Sequence, residues 1–286
     1  MTDLRGATLE KLRGIKNLPA IPHVMLEVST YLKSEDHGSH KLAKIVSKDQ
    51  SITTKLLSIA NSPLFGLHRK VSSIELAIML LGEEELANIV IALSMSEAIK
   101  FKDHELFNFE EYWRHSMLVA SAANGISKKL KLNNIASEAF LGGILHDLGT
   151  LLIIQYFPKE FEKIVNIVQK NGVDFLTAEM EVLGCTHSEL GKFMVEKWSL
   201  PEKICNVLEY HHVPSKAETD HKLIFIVHLA DIMTLEFETG NIFWDEQAIF
   251  NESISDVLGF SSEADLMKFI EDYREPFIKT ADALTI

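Results

Sequence analysis

The sequence predicts an all-α protein, and three observations carry that expectation. Apolar residues recur at three- and four-residue intervals along nearly every segment, alternating strand-like patterns bounded by turns are scarce, and helix-start signals recur along the chain. Taken in order, Leu18-Pro19-Ala20-Ile21-Pro22 leads into a helix that runs to about Lys33. Two helices follow between residues 39 and 61, then a turn at Ser62-Pro63-Leu64-Phe65-Gly66. Two more flank Leu81-Gly82, the first capped by Ser72 with Glu75 three residues later. The polar, aromatic stretch 100–108 breaks the pattern and marks a candidate boundary between an N-terminal helical part, 1–100, and a second part, 101–286. No Pro/Gly/Ser-rich linker accompanies it, so the two parts are expected to pack tightly. Beyond it, Asn108 with Glu111 and Thr186 with Glu189 repeat the cap signal, and Pro158 and Pro201 suit first-turn positions. The tail reads as two short packing helices, 253–258 and 261–275.

Composition narrows the function classes. The 286 residues carry 28 basic and 41 acidic side chains, a net charge of -13. Binding to nucleic acid or an anionic membrane draws its affinity from phosphate neutralisation, so this balance argues against both. Two cysteines, Cys185 and Cys205, form neither a disulfide framework nor a Cys-x-x-Cys pair, and a reducing cytoplasm is the simplest compartment. Residues 1–14 lack an apolar signal core, and the apolar run 223–235 is too short to span a bilayer and contains His228 and Asp231. Gly-x-Gly-x-x-Gly, Walker and Gly-x-Ser-x-Gly motifs are all absent.

What remains is a set of metal-ligating side chains spread over successive helices. Glu111 and His115 stand one turn apart on one helix face and can reach one ion. His146-Asp147 follows the apolar run Phe140-Leu141-Gly142-Gly143-Ile144-Leu145, where two polar residues are expensive to bury unless paired or coordinated. Adjacent helical residues point roughly 100° apart, so this doublet, like His211-His212, suits two sides of a cluster better than one ion. A carboxylate between two metals can bridge them. His187 follows the cap residue Thr186, and Asp231 lies in Ile224-Phe225-Ile226-Val227-His228-Leu229-Ala230, where an unpaired carboxylate is costly. His228 reads as a core histidine. Imidazole and carboxylate donors without thiolate suit iron, manganese or zinc.

The front motifs, Leu18-Pro19-Ala20-Ile21-Pro22, then Leu56-Leu57-Ser58-Ile59-Ala60-Asn61-Ser62-Pro63-Leu64-Phe65-Gly66, then Val71-Ser72-Ser73-Ile74 through Leu81-Gly82, resemble the HDOD domain over roughly residues 18–213. The resemblance implies an HD-like helical bundle behind the N-terminal helical part, in a bacterial signalling module related to HD-domain phosphohydrolases. Most HDOD domains are taken to lack the ligands of those relatives. Here the pattern is similar to that of HD-GYP cyclic-dinucleotide phosphodiesterases, which implies two or three ions, iron foremost, on Glu111, His115, His146, Asp147, His187, His211, His212 and Asp231. Two departures stand against turnover: Thr150 occupies the position of a phosphate-contacting lysine, and Val213-Pro214-Ser215-Lys216-Ala217 replaces the acid and Gly-Tyr-Pro loop. The expectation is a regulatory protein with a di- or trinuclear site, answering to a protein partner or a nucleotide. A phosphohydrolase using metal-activated water beside His146 and Asp147 is the first alternative, and a metal-free interaction scaffold the second.

Overall fold

The computed structural model describes residues 3–15, 22–34, 38–61, 67, 69–98, 104–237, 239, 244 and 250–283. Among these residues there is no β-strand, only an isolated bridge between His104 and Phe107. The N-terminal helices are α1 (Leu4–Gly14), α2 (His23–Lys33), α3 (Ser39–Val46), α4 (Gln50–Ala60), α5 (Ile74–Leu81) and α6 (Glu83–Ala98). Asp49 starts α4 by accepting from the Ser51 and Ile52 amides, as an N-cap should. The helix α6 is buried around its whole circumference from Glu85 to Met95, with Leu86, Ala87 and Ile89 through Leu93 forming most of that surface. A helix of that kind must be enclosed on every side. It packs on α2 and α4 and also on the second part's α8 (Ala136–Leu145), and so links the two regions. The Lys128 ammonium adds a tie to the buried Glu85 carboxylate at 2.9 Å.

The second part is built on the long helix α7 (Phe109–Lys129), capped by Asn108, which packs on α8 and on α14 (His221–Glu236). The α7 and α8 backbones meet where Gly143 faces Ala120; a Cβ there would lie 2.7 Å from the Ala120 Cα. After α8 the chain turns into α9 (Leu148–Tyr156), α10 (Pro158–Asn171), α11 (Phe175–Leu183), α12 (His187–Lys197) and α13 (Glu202–Tyr210). The capping box expected at Thr186 and Glu189 forms in full and starts α12. Helices α15 (Ile254–Leu258) and α16 (Glu263–Ala283) close the chain, α15 against α14 and α16 against α7.

Several expectations shift. The α5 cap is Ser73, whose hydroxyl accepts from the Leu76 amide, one residue later than Ser72. Pro201 stands at the N-cap of α13 rather than inside its first turn, whereas Pro158 opens α10. The last helix does not stop at residue 275: it runs through Pro276 to Ala283, because Ile270, Tyr273, Phe277 and Ala281 continue one buried face and that packing outweighs the lost amide. The apolar segment Asn133–Tyr156, longer than 223–235, meets the length and composition for crossing a bilayer, yet 89% of its apolar window is buried in the protein's own core. The motif residues 18–21, the turn 62–66 and residues 100–103 of the candidate boundary lie outside the described residues.

Candidate metal centre

Both polar doublets occupy helix ends. His146 is the C-cap of α8 and Asp147 the N-cap of α9, so the pair forms the corner between two helices. As an N-cap, Asp147 would be expected to accept from the first amides of α9, yet it makes no capping hydrogen bond; its carboxylate turns inward. His211 ends α13 in the same way, and His212 follows in the turn. His115 comes from α7, His187 is the first residue of α12, and Asp231 lies within α14. Gly149 allows α9 to reach α12: a Cβ on it would sit 1.8 Å from the His187 carbonyl oxygen.

These seven side chains form two donor sets that share Asp147. Its Oδ1 faces His187 Nε2 at 3.3 Å and His211 Nε2 at 3.7 Å, with His212 Nε2 3.1 Å from His187 Nε2. Its Oδ2 faces His146 Nε2 at 3.4 Å and His115 Nε2 at 3.6 Å. Asp231 Oδ1 completes that second set, 3.2 Å from His115 Nε2 and 3.6 Å from His146 Nε2. Ligand atoms each about 2.1 Å from one ion stand roughly 3.0–3.5 Å apart at tetrahedral or octahedral angles, so both sets have the spacing a divalent ion requires. Asp147 Oδ1, Asp231 Oδ1 and His211 Nε2 are buried without a hydrogen-bond partner. Buried polar atoms left so are rare and call for a ligand. The residues therefore fit metal binding, with Asp147 turned toward both sets.

Outer partners fix three of the imidazoles. His146 Nδ1 lies 2.7 Å from the Gly143 carbonyl and His211 Nδ1 2.8 Å from that of Leu208, each ring anchored to the last turn of the helix it ends. The Glu179 carboxylate, fully buried on α11, accepts the His187 amide at 2.8 Å and contacts its Nδ1 at 3.0 Å, leaving Nε2 toward Asp147. This carboxylate–histidine arrangement orients metal ligands and raises their basicity. Burial opposes charge on His187 and His146, but the neighbouring carboxylates prevail: Glu179 and Asp147 raise His187 to about 10, and Asp147 and Asp231 lift His146 well above its ordinary value. Against the penalty of burial, His146 and the other surrounding imidazoles hold Asp147 and Asp231 far below the carboxylate range. Burial and neighbouring imidazoles push His211 and His212 down, so both stand neutral.

Glu111 does not join the centre. Its carboxylate pairs with Arg114 on its own helix and stays 30% exposed, although His115 one turn later points inward. His228 bears on the centre indirectly: its Nδ1 lies 2.7 Å from the His211 carbonyl, bracing the turn that carries two ligands. Sequence reasoning missed Glu179 and Trp244. Phe175, Glu179 and Leu183 share one buried face of α11, and an acid at the middle of that face was the available signal. The Trp244 indole donates to Asp147 Oδ2 at 2.9 Å from 97 residues away, with no local pattern to announce it.

The sequence model of the HDOD domain matches residues 18–214. The chain belongs to the HDOD family. Its fold is similar to that of an HDOD domain protein of unknown function from Geobacter sulfurreducens, at 25% identity and TM-score 0.82, covering all of this chain and 99% of that one. It is also similar in fold to a protein from Shewanella amazonensis named provisionally as a metal-dependent phosphohydrolase, at 15% identity and TM-score 0.64, covering 99% and 100% of the two chains. An uncharacterised Treponema pallidum protein is 24% identical over 227 residues, 79% of this chain; the match spans 44% of that relative's length. The segment from α7 to α14 supplies every residue of the two donor sets; six of the seven fall within the matched residues, and Asp231 lies beyond them.

Proposed function

We propose that this chain is a regulatory HDOD protein that carries a pair of divalent ions and transmits their occupancy, or that of a ligand bound to them, to a protein partner. One observation carries the reading: a buried carboxylate, Asp147, turns one oxygen toward each of two donor sets. His115, His146 and Asp231 would hold one ion, and His187, His211 and His212 the other. Six of the seven side chains are buried, and only His212 is partly exposed. Iron is the first candidate, with manganese and zinc following, on the mixed imidazole and carboxylate donors. The cytoplasm is the compartment that suits them.

Bound ions of this kind supply Lewis acidity and activate water toward phosphoryl groups. What the chain adds for a phosphorylated substrate is modest. Thr150 is 1% exposed and cannot meet a phosphate at the surface, and Val213 and Pro214 begin a short 3-10 turn where a recognition loop would be needed. Regulation without efficient turnover follows. The seven donors that do assemble keep hydrolysis of a nucleotide or cyclic dinucleotide as the second reading. Metal analysis of protein purified anaerobically without chelator tests the first claim: about two ions per chain are expected, and fewer than one would overturn it. A hydrolysis screen on the wild type and on the His146→Ala, Asp147→Ala double variant separates the two readings, since turnover abolished by the double change would establish the second.

A further inference from the structure

The two donor sets draw on α7 to α14, but one more side chain reaches them from the connection between α14 and α15. Trp244 is 1% exposed, and its indole N–H is bonded to the Asp147 oxygen that faces His115 and His146. Its ring lies 5.0 Å from Phe107, 6.0 Å from Tyr112 and, edge-on, 6.3 Å from His115. An indole donates one hydrogen bond and accepts none. It therefore engages one lone pair of Oδ2 without competing as a ligand, and it sets the rotation of the carboxylate both ions would share. The aromatic wall it completes lies on the His115 side, whereas the one partly exposed member of the centre, His212, belongs to the other set. We propose that Trp244 is the positioning residue for the bridging carboxylate and the cover of the His115 side, so that ions enter from the His212 side.

This inference rests on the metal-pair reading, and the experiment keeps the two apart. Cobalt(II) is titrated into chelator-stripped wild type, Trp244→Phe and Trp244→Ala, with affinity, visible absorption and association rate as readouts. Trp244→Phe keeps the ring and removes the N–H. One of the two ions should bind about 10–100-fold more weakly, the usual cost of losing an outer-sphere partner, with an altered absorption spectrum. Trp244→Ala opens the wall, and cobalt should associate faster than with wild type. Wild-type affinity and spectrum in Trp244→Phe would overturn the positioning role, and a wild-type association rate in Trp244→Ala would overturn the cover. Failure of the wild type itself to take up one cobalt would overturn the metal pair and, with it, this inference.

Discussion

Asp147 and Glu179 face opposite nitrogens of the His187 ring and do different work, and substitutions separate them. Asp147 faces both donor sets, so Asp147→Asn removes the one charge two ions would share, and metal analysis should drop from the proposed two ions per chain to fewer than one. Glu179 touches no ion; it sets the His187 ring. Glu179→Gln should weaken one ion by about 10–100-fold and leave the other in place, and equal loss of both would contradict this division. Protonation has a sign at the same residues. In the metal-free protein His187 is raised from 6.5 to about 10, so its stabilisation is complete below about pH 6.5 and is lost as pH climbs through about 10. His211 and His212 are lowered, so they cost stability as pH falls below the ordinary histidine value. The melting point of chelator-stripped protein should decline on both sides of neutrality, and His187→Gln should flatten the alkaline limb; an unchanged limb would refute the assignment.

Helices were legible in the sequence where an apolar face and a side-chain cap coincide, as at Asn108 and Thr186. The ligands were legible where a polar group interrupts an apolar run, as at His146, Asp147 and Asp231. What periodicity could not convey is how helices end. The two doublets read as helix interior, yet each sits at a helix C-terminus, where anchoring to the preceding turn sets the ring direction. Glu111 read as a ligand by its one-turn spacing from His115, but Arg114 three residues on offers a partner at the surface without desolvation. Glu179 stayed hidden because its role depends on α11 meeting the start of α12, a tertiary fact. Gly149 is the element-scale test of that assembly. In a helix Ala is favoured over Gly by about 1 kcal/mol, but a Cβ 1.8 Å from the His187 carbonyl forces α9 from α12. Overpacking of that kind costs about 1–3 kcal/mol or more. Gly149→Ala should therefore lower the denaturation midpoint and weaken metal binding together; a stabilised variant would show that the two helices do not meet this closely.

Across the whole molecule the centre ties together parts of the chain far apart in sequence, from His115 on α7 to Asp231 on α14. One apolar cluster joins the N-terminal helices to α8–α13, and a second joins α7 and α14 to α15 and α16. The ligands draw on helices from both, α12 and α13 packing in the first cluster and α14 in the second, so ions would fasten the two cores to each other. The unfolded chain offers no such preformed site, and binding free energy becomes folding free energy. At an ion concentration a hundredfold above its Kd, each site adds about 2.7 kcal/mol. For a chain of this size that is a rise of roughly 4–5 °C in Tm per ion. Removing metal with a chelator should lower Tm by that amount, and re-addition of iron(II) or manganese(II) should restore it. The Asp147→Asn protein supplies the control: its Tm should not respond to metal at all. If the variant responded as the wild type does, the ions would be stabilising the protein from elsewhere, and Asp147 would not be the bridge between its two cores.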